Sequence, residues 1–309
     1  AAARGAKVFE FEWIDDFAAA RNVSFEHCTG DWILWLDADD RIPPASQDEF
    51  KKLKNELTRR PEVDVVMVPY RVHFSQADPS ICTFSFERER VLRTSAGIRW
   101  FGPVHESIGV PSPPVRWPTA WIEHRPLAED RPHKVDRNLR ILERAVEAGD
   151  RSPRTLFYLG NELKDHERWE DALAAYQEYL DIDEQVAWEQ HSALLSMSVC
   201  SQMLGRHEEK LKYLFKAIQL DSTRAEAFLR VGLHHYERRE WLQAVPFFLA
   251  ATSLPRPADG FVDDTAYTWA PWDYLSVCHS ELGMYQEALD ETVKALETSF
   301  DRQRLFRNM

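Results

Sequence analysis

The segment Asp31-Trp32-Ile33-Leu34-Trp35-Leu36-Asp37-Ala38-Asp39-Asp40 constrains the fold more than any other stretch. Residues 32–36 form a continuous apolar run with the length of a fully buried strand. Three carboxylates, Asp37, Asp39 and Asp40, follow directly. Like charges that close repel, and each resists burial unless a cation joins them. A cluster of this kind suits a hard divalent ion, Mg²⁺ or Mn²⁺, often shared with substrate phosphates. It also suits an acidic turn closing a strand, because Asp is a turn former. Taken alone, the segment leaves both readings open.

The flanking sequence extends the pattern. Residues 7–12 (Lys-Val-Phe-Glu-Phe-Glu) alternate apolar and charged side chains and predict a strand. An Ala-rich helix is expected from Phe17 to about Cys28, capped by Asp15 or Asp16 and closed near Gly30. Strand, helix and buried strand in succession predict a βαβ unit with a parallel strand pair. Beyond the acidic cluster, Pro43-Pro44 interrupts regular structure, and Ser46 with Glu49 reads as a capping box for a helix over 47–59. Strand-like runs follow at 63–70, 72–75 and 83–92. Trp100-Phe101-Gly102-Pro103-Val104-His105-Glu106 comes next, then a Pro-rich connection at 111–118 and a last short strand at 121–124.

From Arg131 the pattern becomes helical. Val135, Leu139, Leu142 and Val146 share one face of a helix over 133–148. From Pro153 the chain repeats itself. Leu156, Leu159, Gly160, Ala172, Tyr176 and Tyr179 form the first set. Equivalent positions recur at Leu194, Phe228 and Trp272, displaced by 38, 34 and 44 residues. The last excess is an insertion around 255–260. Each unit reads as two helices with small residues where they cross. These repeats resemble the tetratricopeptide repeat, and stacking them yields a curved solenoid with a concave surface. Such arrays commonly hold proteins or peptides, so a protein partner on the concave face is an association the fold suggests.

Composition narrows the class of partner. Acidic residues outnumber basic ones by 51 to 38, for a net charge of −13. That argues against general nucleic-acid or anionic-membrane binding, though a local basic pocket for phosphate is compatible with it. The four cysteines are far apart and read as separate reduced thiols of an intracellular, cytoplasmic protein. No apolar run approaches the roughly 20 residues of a membrane span. A length of 309 residues suits about two domains.

The segment Asp16-Phe17-Ala18-Ala19-Ala20-Arg21-Asn22, the run 29–40 ending in Asp37-Ala38-Asp39-Asp40, the later Gly102-Pro103-Val104-His105-Glu106 and Ile122-Glu123-His124 together resemble the family 2 glycosyltransferases of GT-A fold that carry a tetratricopeptide tail. The resemblance implies an α/β, Rossmann-like domain with a mixed sheet over 1–127, a linking helix over 128–152 and an all-α repeat domain of about four helix pairs over 153–309. It implies a metal-dependent, inverting glycosyltransferase that uses a nucleotide-diphosphate sugar. Its acceptor is a polypeptide or a glycan, recognised in part by the repeats. Asp37 and Asp39 match the family's Asp-x-Asp positions: Asp39 is expected on the metal, and Asp37 on the ribose or on the metal through water. His124 is expected to complete the metal site or touch the diphosphate. Arg21 and Asn22 are expected at the donor. Glu106 is the expected base, with His105 beside it. Trp100, Phe101 and Trp121 suit sugar stacking or core packing. Asp15, Asp16 and Arg125 are too generic to assign.

Relative to the family, the sequence is expected to be truncated at its N-terminus, lacking the leading strand and loop that hold the base. That departure keeps a second reading open, an interaction scaffold with a remnant catalytic domain. A nucleotidyltransferase would use similar carboxylates but fits the Ala-Arg-Asn helix and the repeats less well.

Overall fold

The computed structural model describes residues 5–74, 79–80, 82–126, 135–183, 185–257, 260 and 262–298. The chain divides into two compact units, 1–149 and 150–309.

The first unit is a mixed α/β structure. In chain order it comprises α1 (Phe17–Glu26), β1 (Trp32–Leu34), β2 (Asp40–Arg41), α2 (Pro44–Leu57), β3 (Val65–Phe74), β4 (Cys82–Arg93), β5 (Trp100–Phe101), β6 (Ser107–Ile108), β7 (Val115–Arg116), β8 (Ile122–His124) and α3 (Val135–Glu147). The main sheet runs β1-β4-β3-β8-β2, with β7 also on β3; β5 and β6 form a separate ribbon. β4 is antiparallel to β1 and β3, and β8 is parallel to β3. Alternation along the strands sends side chains to opposite faces. Ile33, Val65 and Leu92 pack on one face with Ala18 and Phe25 of α1 and with Trp35, Trp100 and Ile108. Val66, Val68, Tyr70 and Val91 pack on the other with Leu53 and Leu57 of α2.

Several local expectations change. Residues 7–12 form no strand; Val8 and Phe9 are exposed, and the Phe9 ring stacks on His27. The parallel pair expected from a βαβ unit is therefore replaced by the antiparallel β1–β4 pair. The run 32–36 is not fully buried: β1 lies at the sheet edge, so Ile33 and Trp35 face the core while Leu34 and Leu36 are exposed. α1 is capped by Asp16, whose carboxylate accepts the Ala19 N–H at 2.9 Å, but it ends at Glu26 with His27 rather than Gly30 as its cap. Ser46 is no N-cap, because α2 already starts at Pro44 behind Pro43. The Ser46 hydroxyl instead donates to Trp121 O (2.8 Å) and accepts from Trp121 N–H (2.7 Å). Glu49 accepts from Lys52 and Thr119. The runs 63–70 and 72–75 join in one strand, β3, with Ser75 outside the described residues. Asp15 accepts from Arg140 (3.0 Å) and pairs with Arg144 (2.5 Å), which ties α3 to the loop before α1.

The second unit is built of helix pairs: α4 (Pro153–Asp165) with α5 (Trp169–Leu180), α6 (Ala187–Met203) with α7 (His207–Leu220), α8 (Ala225–Glu237) with α9 (Trp241–Thr252), and α10 (Trp269–Glu281) with α11 (Tyr285–Thr298). Each pair turns through a residue in the left-handed region. These are Glu167, Gly205, Arg239 and Gly283, with φ of 60, 73, 58 and 79°. They are spaced by the same 38, 34 and 44 residues as the sequence repeat. Backbone conformation and side-chain pattern thus share one register. At the crossings, Gly160 faces Tyr176 and Gly232 faces Phe248, so closely that a Cβ would sit 2.6 and 2.5 Å from ring atoms. The other two pairs have Ser198 and Ser276 at the small position, opposite the smaller Leu214 and Thr292. Gly232→Ala is expected to destabilise the protein by about 1–3 kcal/mol through overpacking against Phe248. Ser198→Ala should cost much less, and denaturant melts of the two variants compare them directly. No helix of the described residues is long and apolar enough to cross a membrane.

Candidate active site

Several of the candidate side chains converge at the C-terminal end of β1. After Trp35 the chain leaves the ladder, and Asp40 N–H donates to Asp37 O at 3.0 Å, closing a tight turn. Asp40 then enters β2, where it is paired with His124 of β8. Arg125 N–H donates to Asp39 O at 2.8 Å and holds the turn from the same side. The side chain of Arg125 goes elsewhere, to Glu123 and the Phe74 ring.

Asp39, Asp40 and His124 each offer a ligand atom within 4.8 Å of the others. The His124 Nδ1 is buried and has no hydrogen-bond partner. It lies 3.6 Å from both Asp39 Oδ1 and Asp40 Oδ1, too far for a hydrogen bond but a good separation for shared ligands of one ion. An orphaned buried nitrogen facing two carboxylate oxygens fits a divalent cation. Asp40 joins this group where Asp37 was expected. Asp37 sits across the turn, and its Oδ1 is held by Arg21 Nη2 at 2.7 Å.

Arg21 reaches this point because α1 lies against the β5 segment. Both ends of the Asn22 amide are engaged by Trp100: its Nδ2 donates to the carbonyl (3.0 Å) and its Oδ1 accepts the N–H (2.9 Å). Asn22 therefore fixes α1 to β5, with one hydrogen bond at each end of its amide. The Arg21 guanidinium lies between the Trp35 and Trp100 rings, 5.0 and 4.9 Å from their centroids. Its Nε donates to Glu106 Oε1. Burial disfavours the Arg21 charge, but the Asp37 and Glu106 carboxylates outweigh that and hold the guanidinium above its ordinary value. Glu106 is brought there by a loop whose Pro103 carbonyl accepts the Phe17 N–H at 2.8 Å. His105 takes a left-handed φ of 52°, turning the chain so that Glu106 faces Arg21.

Trp100 is 2 % exposed and packs edge-on against Trp35 and Phe25. It is a core residue and presents no face to a sugar. Trp121 lies under the Arg71 guanidinium at 4.1 Å, whereas Phe101 is exposed.

Two residues of this site, Arg90 and Tyr70, were not singled out from sequence. Arg90 and Asp40 are fully buried, and Arg90 Nη1 meets Asp40 Oδ2 at 2.8 Å. Tyr70 donates its hydroxyl to Asp40 Oδ1 at 2.8 Å. Burial lowers Arg90 below the ordinary arginine value even with Asp40 opposing. Burial and then the Asp40 hydrogen bond raise the Tyr70 phenol, so it remains a donor. The available signal was the charged run Glu87-Arg88-Glu89-Arg90 inside a strand, which forces some charge inward.

The sequence pattern described as Glycosyl transferase family 2 matches residues 2–106. A stretch of 269 residues is 22% identical to the SPbeta prophage-derived glycosyltransferase SunS of Bacillus subtilis, covering 83% of this chain and 59% of that protein. A stretch of 137 residues is 30% identical to a TPR repeat-containing protein of Synechococcus elongatus, covering 41% of this chain and 32% of that one. The chain thus spans about a third and about three-fifths of the length of these two curated relatives. Among solved structures, MamA aligns with a TM-score of 0.44 at 18% identity, over 57% of this chain and 92% of that one. YrrB, described as a TPR protein with an unusual peptide-binding site, aligns at 0.43 and 17%, over 56% and 82%. Residues 2–106 thus match the family 2 glycosyltransferase pattern, and the chain joins a mixed-sheet α/β unit to an all-α array of tetratricopeptide-like helix pairs.

Proposed function

We propose that the protein is a metal-dependent, inverting glycosyltransferase acting on a nucleotide-diphosphate sugar. The observation that carries this reading is the buried, unpartnered His124 Nδ1 facing Asp39 and Asp40 at the strand end of a family 2 domain. Asp39, Asp40 and His124 would hold Mn²⁺ or Mg²⁺, with Asp37 at the edge of the site on the donor's ribose or on a metal-bound water. When bound, the ion neutralises charge on the diphosphate as it leaves. Arg21 is a partly exposed cation beside the same turn, and its planar guanidinium suits a phosphate. In the free protein Arg21 is held by Asp37 and Glu106, so a donor diphosphate would draw it from two carboxylates.

Glu106 is the base. It accepts the proton of the acceptor nucleophile as that atom attacks the anomeric carbon from the face opposite the leaving diphosphate. The bond to the diphosphate breaks as the new glycosidic bond forms, which inverts the anomeric centre. The acceptor is a polypeptide or a glycan, and the helix pairs of the second unit supply a surface for recognising it or a protein partner.

Incubation with a panel of nucleotide sugars and Mn²⁺ tests the reading. Release of nucleoside diphosphate with inverted product is expected. Absence of turnover with every donor and acceptor class, by protein that binds the donors, would contradict it.

A further inference from the structure

The mechanism above leaves the buried Arg90 unused. Arg90 carries a charge in the interior of the sheet, where an unpaired ion is costly. Its guanidinium lies 3.7 Å from the Trp35 ring centroid and 4.2 Å from that of Tyr70, clamped between two aromatic faces. Nη1 is the end directed at Asp40, while Nε and Nη2 are buried without hydrogen-bond partners. A cation retained with two unsatisfied donors signals that its single strong contact matters.

That contact organises the Asp37–Asp40 turn. Asp40 Oδ2 accepts both from Arg90 and from the Asp37 backbone N–H at 2.9 Å. Asp40 Oδ1 accepts from Tyr70 at 2.8 Å and is the oxygen that lies 3.6 Å from His124 Nδ1. One carboxylate oxygen is therefore consumed in closing the turn. The other is oriented by the phenol toward the histidine, with one lone pair left over. Trp35 is itself fixed, its indole N–H donating to Glu89 O at 2.6 Å. The clamp has a rigid wall on the strand side, and its position does not depend on an exposed loop.

We infer that Arg90 and Tyr70 are positioning residues. Through Asp40 they lock the acidic turn so that Asp39 and Asp40 Oδ1 face His124 as one ligand set before any cation arrives. This rests on the proposed metal site, and it adds that the site's affinity is set by two residues that never touch the ion. Outer partners of this kind typically account for 10–100-fold in metal affinity.

Tyr70→Phe keeps the ring and removes only the hydroxyl, and Arg90→Lys keeps the charge and removes the planar fork. Two readouts are needed on each variant: Mn²⁺ affinity by electron paramagnetic resonance, and amide hydrogen exchange of Asp37 measured without metal by NMR. The expected result is Mn²⁺ binding weakened by about tenfold or more. Asp37 exchange is expected to quicken while the amides of the β3–β4 ladder keep their wild-type protection. A purely structural role would speed Asp37 and the ladder together, and that outcome overturns the inference. So does wild-type Mn²⁺ affinity in both variants. If the unaltered protein binds no Mn²⁺ while Asp37 alone quickens in both variants, the turn lock is upheld and it is the metal-dependent function that fails.

Discussion

Glu106→Gln is expected to lower sugar transfer by about 10²–10⁴-fold, the usual contribution of a positioned base. Nucleotide diphosphate binding should not weaken, because Arg21 is then held by one carboxylate charge instead of two. The two effects separate because of what Glu106 touches. Its only side-chain partner described in this site is the Arg21 Nε–H, and a glutamine carbonyl can accept that hydrogen bond in its place. The geometry of Arg21, and hence of the turn beside it, is retained. What is lost is the capacity to take up a proton from the acceptor. Single-turnover rates beside equilibrium titration of nucleoside diphosphate check this. Equal losses in binding and in rate would place Glu106 in the donor site instead.

Arg21→Met should have the second large effect, and on stability as well as binding. Arg21 is the shared counter-ion of Asp37 and Glu106 and fills the space between two indole rings. Removing the charge leaves two carboxylates facing each other in a partly buried site. Breaking a pair of this kind costs on the order of 3 kcal/mol. Methionine preserves the packing between the rings, so the loss reports charge rather than a cavity. Donor binding should weaken as well, since the guanidinium is a partly exposed cation beside the proposed metal site. Arg21→Lys restores the charge without the fork and is expected to recover stability more than donor affinity. Urea melts and nucleotide titrations on both variants give the comparison.

The parts of the site legible in sequence were those set by local spacing. The acidic cluster after an apolar run, the helix carrying Arg21 and the loop carrying Glu106 all lie where short-range pattern puts them. The helix pairs were legible for the same reason, because the left-handed turn residues repeat with the side-chain pattern. What escaped was set by tertiary contact. Asp40 was open between a cation ligand and a turn residue, and its partners Arg90 and Tyr70 lie 50 and 30 positions away. Asn22 looked like a donor ligand, but β5 claims both ends of its amide. Ser46 had the spacing of a capping box, yet the proline before it began the helix and the Trp121 backbone took its hydroxyl. Residues 7–12 had the alternation of a strand, but alternation supplies no neighbouring edge, and among the described residues no strand is paired with them.

Titration of uridine and guanosine diphosphates, with and without Mn²⁺, into the unaltered protein and Asp39→Asn tests the central claim most directly. Asp39 is partly exposed and its carboxylate is 3.6 Å from His124, so the amide substitution removes one negative charge from the proposed ligand set without disturbing the core. The expected result is nucleotide binding that requires Mn²⁺ and is lost in Asp39→Asn. Metal-independent binding of equal strength in both proteins would contradict a metal site at the end of this strand.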